Sequence, residues 1–139
     1  MAGKMPEQLF QLRRLHEAQL GELKKVNEQL QKLAENMSEY FRQKLENDTV
    51  LSELKLLSDD STVFKKIGPC LIKQDMFEAT SNVEKRIDYI QQELDRIENQ
   101  KQSAEEKRAK IGKGLGRVEG EIQGFVKAME AAQQSAEAS

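Results

Sequence analysis

Apolar residues recur every three or four positions from Leu9 to Ala132, and the rhythm breaks off only between residues 58 and 75. With Leu9 as heptad position a, the a series is Leu9, His16, Leu23, Leu30, Met37, Lys44 and Leu51. The d series is Leu12, Gln19, Val26, Leu33, Tyr40, Asn47 and Leu54. Ten of these fourteen positions are apolar or aromatic. A period of 3.5 sustained over seven heptads buries a helix against another helix. From Val83 the seam steps again by four and three through Ile87, Ile90, Leu94, Ile97, Lys101, Ala104, Arg108, Ile111, Leu115, Val118, Ile122, Phe125, Met129 and Ala132. Only Lys101 and Arg108 interrupt it.

The ends of both periodic stretches carry boundary residues. Pro6 suits a first helical turn, and Glu7 is favoured there by the helix dipole. The Ser-Asp-Asp-Ser cluster at 58–61 stops a helix. Asp75 followed by Glu78 has the spacing of a capping box, with Asp in the Ser/Thr place. A single domain over 1–139 is therefore expected, mainly α: helix 7–57, β-hairpin 62–74, helix 76–132, and a disordered tail at 133–139. At about 1.5 Å per residue the two helices would run roughly 75 and 85 Å.

Between them, Thr-Val-Phe-Lys-Lys-Ile and Cys-Leu-Ile-Lys-Gln flank Gly68-Pro69, and Gly at the first central position of a two-residue loop suits a type II′ turn. That turn pairs residues whose numbers sum to 137, such as Ile67 with Cys70 and Phe64 with Lys73. Extended into the helices, the same rule sets Leu54 against Val83 and brings Leu51 beside Ile87 and Leu9 beside Met129. Two independent periodicities thus agree on an antiparallel two-helix coiled coil joined by one hairpin.

A lone two-stranded hairpin is marginal in water and leaves two unpaired edges. This one carries apolar residues on both faces, and a plain helix–helix connection needs far fewer residues. Val63, Phe64, Ile67, Gly68, Pro69, Leu71 and Ile72 are therefore expected to hold the chain in an oligomer; the competing reading is a connector that only turns the chain.

Composition narrows the function classes. The chain has 22 basic and 24 acidic residues, a formal charge of −2, and so lacks the basic excess that holds a phosphate backbone. No apolar run approaches the roughly 20 residues needed to span a bilayer, and Met-Ala-Gly-Lys-Met-Pro-Glu lacks a signal-peptide core. No nucleic-acid or membrane partner is expected. A single cysteine, Cys70, agrees with a reducing compartment, and a cytoplasmic location is expected. Cys70 reads as a small packed side chain. His16 reads as a polar break in the seam, without a second His or clustered Cys for a metal. Acidic pairs such as Asp59-Asp60 read as solvated surface. No enzyme activity and no cofactor are expected.

Val-Phe-Lys-Lys-Ile-Gly-Pro-Cys-Leu-Ile-Lys-Gln-Asp, preceded by Val-Leu-Ser-Glu-Leu-Lys-Leu-Leu and followed by Val-Glu-Lys-Arg-Ile-Asp-Tyr-Ile-Gln-Gln-Glu-Leu, resembles the β-type prefoldin subunits from about Leu33 to about Leu94. The resemblance implies a hexamer of two α-type and four β-type subunits, whose hairpins combine into an intersubunit β-barrel carrying six coiled coils. It further implies a co-chaperone that holds unfolded actin and tubulin and delivers them to the cytosolic chaperonin without ATP hydrolysis. A structural tether or an adaptor on the same architecture is the alternative; strand edges argue against the tether.

The arm ends carry the remaining candidates. Leu9 and Phe10, with Phe125, Val126 and Met129, form an apolar set far from the hairpin, and Phe10 and Val126 lie beside the seam. These five are the expected client-binding residues; the competing reading is that Leu9 and Met129 close the coil. Glycines at 112, 114, 116, 120 and 124 each cost a helix about 1 kcal/mol relative to alanine, so this arm is expected to be soft.

Overall fold

The computed structural model describes residues 6–138, in the order α1 (Glu7–Leu56), β1 (Val63–Ile67), β2 (Cys70–Gln74) and α2 (Met76–Ala138). The Phe10 amide donates to the Pro6 carbonyl at 3.0 Å, closing the first turn of α1. Asp75 caps α2: the Glu78 amide donates to Asp75 Oδ2 at 3.2 Å, which satisfies one of the orphan donors of a helix start.

Two compact units share the helices. One runs from Lys32 to Lys101 and contains the hairpin; the other combines α1 up to Gln31 with α2 from Gln102 onward. In the hairpin unit, β1 and β2 pair antiparallel from Val63 with Gln74 to Ile67 with Cys70, so every pair sums to 137. Gly68 has φ 57°, and Pro69 is locked near −65°; a positive first and negative second central φ is the type II′ turn. Buried Leu33, Ala79, Val83, Ile90, Leu94 and Ile97 line this unit's seam.

In the arm-end unit, Val26, Ala104, Ile111 and Leu115 form a buried cluster against which Leu23 and Leu30 pack. Leu9 and Val118 are also buried. Every a and d position of α1 from Leu9 to Leu54 is buried or half-buried, the polar His16, Gln19, Lys44 and Asn47 included. Arg108, one of the two breaks in the α2 seam, is exposed, whereas Lys101 is half-buried.

Two expectations need correction. The tail does not begin at 133: α2 continues to Ala138. Ala131, Ala132 and Ala136 are strong helix formers, and no Gly or Pro stands there to end the helix. Ser139 and residues 1–5 lie outside the described residues. Beyond Phe125 the seam is also less covered than its rhythm suggests, with Met129 and Ala132 exposed. The cross-helix contacts of this unit, His16 with Glu119 and Gln19 with Gly114, sum to 135 and 133, which sets Glu7, the first residue of α1, near residues 126–128; beyond them the seam of α2 runs out of α1 to pack on. The five glycines of the arm do not interrupt α2.

Candidate functional site

Strand alternation and pairing sort the hairpin side chains onto two faces. Val63, Ile67, Cys70 and Ile72 share one with Lys65 and Gln74; Phe64 and Leu71 share the other with Lys66 and Lys73. Val63 is half-buried, but Phe64 is 55% exposed and Leu71 67%, with Ile67 and Ile72 close to half exposed. The sheet has two strands, so the outer edge of each is unpaired among the described residues. All seven expected assembly residues therefore fall within ten positions, turn included. Cys70 is exposed instead of packed, as is its pair Ile67 on the same face at the turn end of the hairpin.

The arm end is built differently. Leu12, half-buried at d, and Phe125, half-buried in the α2 seam, flank a cavity of about 480 Å³ lined also by Gln8, Gln11, Leu15 and Glu121. Phe10 is 50% exposed, with the Arg14 guanidinium 5.8 Å from its ring centre. Met129 is exposed and Val126 half-buried. Leu9, expected among the client-binding residues, is buried in the folded arm. Leu15 was not among the expected residues, yet it is exposed and lines the cavity. Its signal was present: a leucine at g, off the a/d seam, has no place against the partner helix.

Polar groups cluster on the flanks. His16 Nε2 lies 3.1 Å from Glu119 Oε1, joining α1 to α2 in the arm-end unit. In the hairpin unit, Arg42 donates to Glu39 and to Glu46, and this guanidinium, helped by the Gln43 amide, holds the Glu39 carboxyl below the ordinary range. Loss of water around the Tyr40 hydroxyl pushes its ionisation upward, and neighbouring Tyr89 and Glu93 add to the effect. Among the described residues no group of three His, Cys, Asp or Glu side chains is placed to hold a metal ion, and no helix is long and apolar enough to cross a membrane.

Comparison with known proteins gives a consistent set of similarities. A family model described as "Prefoldin subunit" matches residues 17–135. Prefoldin subunit 6 of Arabidopsis thaliana is 44% identical over 96 residues, covering 69% of this chain and 74% of that protein. Prefoldin subunit 6 of Homo sapiens is 38% identical over 108 residues, covering 74% and 82%. Among solved structures, the crystal structure of the prefoldin β subunit from Thermococcus strain KS-1 superposes with a TM-score of 0.71 at 22% identity, over 85% of this chain and 96% of that one.

Proposed function

The chain belongs to the prefoldin subunit family, and we propose that it is a β-type member that assembles with other prefoldin subunits and serves there as the holding arm of a cytoplasmic co-chaperone. Its hairpin joins those of sister subunits, two α-type and four β-type in all, in a shared β-barrel. Its arm end holds unfolded chains such as actin and tubulin and passes them to the cytosolic chaperonin without ATP hydrolysis.

The observation that carries the holding role is the arm-end cavity. Leu12, Leu15 and Phe125 supply apolar walls, Gln8, Gln11 and Glu121 a polar rim, and exposed Phe10 and Met129 extend the apolar surface beyond it. Apolar groups left open at a helix end suit a client of no fixed shape, because flexible Met and ring surfaces adapt to many side chains. The hairpin supports the assembly half, since strand addition satisfies its bare edges.

The decisive test compares the intact chain with one lacking residues 1–12 and 123–139, each assembled with its sister subunits. The shortened subunit enters the hexamer but suppresses aggregation of denatured actin less well. Equal suppression by both hexamers would move client binding away from the arm end.

A further inference from the structure

A second cavity, of about 250 Å³, lies at the root of the hairpin, apart from the arm-end cavity. Val50 and Leu54 of α1 contribute one wall; Ala79, Asn82, Val83 and Arg86 of α2 contribute another; Val63, Phe64, Lys65 and Lys66 of β1, with Gln74, close the third side. The helical residues stand at i, i+4 on α1 and at i, i+3, i+4, i+7 on α2, so each set occupies one helix face. Ala79 and Val83 are buried and Leu54 half-buried, which makes the floor apolar and fixed in place.

The lining is one-sided in charge. Lys65, Lys66 and Arg86 line the cavity and no carboxylate does. None of the three makes an ion pair among the described residues. Strand lysines on their own are explained as guards against edge-to-edge pairing. Arg86 is not on a strand: it stands on α2, one turn beyond Asn82, and a guard role does not account for it. The volume falls below the roughly 300–1,000 Å³ of small-molecule sites and suits one or two side chains.

We propose that this socket receives an apolar side chain flanked by carboxylates, presented by a neighbouring prefoldin subunit. The inference rests on the hairpin being the assembly element. Strand addition alone makes a small interface: a five-residue strand is roughly 17 Å long and a sheet about 10 Å thick, on the order of 200 Å² against the ~800 Å² per partner of a stable interface. An anchored side chain beside the added strand enlarges the contact, and the three cations supply register and salt sensitivity.

The test uses the complex assembled with its sister subunits. The triple variant K65E/K66E/R86E changes exposed side chains and keeps its helix content; it binds the sister subunits at least tenfold more weakly and loses the salt dependence of the wild-type complex. A photo-crosslinking residue at Asn82 captures a sister-subunit peptide in which an apolar residue lies within two positions of Asp or Glu. Unchanged affinity and salt dependence in the triple variant, or crosslinks only to client, to nucleic acid or to a second copy of this chain, would overturn the proposal. Ile72→Asp, outside the socket, separates the two readings: release by Ile72→Asp without release by the triple variant removes the socket and leaves the hairpin, whereas an intact complex with Ile72→Asp removes the hairpin reading itself.

Discussion

The side-chain amide of Gln19 fills the space that a side chain at residue 114 would need: its Nε2 lies 2.9 Å from where a Cβ on Gly114 would stand. Gln19 occupies a d position, and its Oε1 is buried without a hydrogen-bond partner among the described residues. The missing side chain on α2 is what admits a polar side chain to the seam.

That relationship separates the glycines of the arm. At Gly112, Gly116, Gly120 and Gly124 an added methyl meets nothing within 4 Å, so alanine should stabilise the helix by about 1 kcal/mol at each site. At Gly114 the same gain is offset by displacement of the Gln19 amide. Thermal unfolding of the five single variants checks this; equal gains at all five would show that Gln19 does not depend on the gap.

Assembly should respond to the hairpin without loss of helix. Phe64 and Ile72 lie on opposite faces and are largely exposed within the chain, so replacing both by Asp leaves helix content near wild type while releasing the subunit from its complex. Size-exclusion chromatography with circular dichroism reads both quantities; an undisturbed complex would contradict the assembly role.

Stability should follow burial, not residue type. Ile97 is 2% exposed, and Ile97→Ala should cost about 2–5 kcal/mol. Met129 is 43% exposed, and Met129→Ala should stay within about 0.5 kcal/mol. Chemical denaturation of the two variants makes the comparison, and similar losses would place residue 129 in a covered seam.

The Glu39–Arg42 pair sets the sign of one pH effect. Folding lowers the Glu39 ionisation below its unfolded value, chiefly through its hydrogen bond with Arg42. Its contribution is therefore fully present above the unfolded carboxylate range and is lost as pH falls through the lower folded value. Helicity followed by circular dichroism should drop less on acidification in Glu39→Gln than in the wild type. A larger drop in the variant would reverse the sign.

Sequence periodicity determined which side chains face inward. The heptad phase set by Leu9 gives fourteen a and d positions, and all of them are buried or half-buried, because a side chain's direction on a helix follows from its residue number alone. Gly68-Pro69 likewise determined the hairpin turn and, through it, the 137 register of the strands, since few loops satisfy a positive φ followed by a proline. Only the tertiary structure decided what covers each position. Leu9 and Met129 look alike as seam residues, yet one is buried and the other exposed, because coverage of Met129 depends on where the partner helix starts. Leu15, Phe125 and Glu121 are distant in sequence and share a cavity, as do Lys65, Lys66 and Arg86; such groupings arise when α2 folds back along α1 in a particular register, and no local pattern encodes which exposed residues then become neighbours.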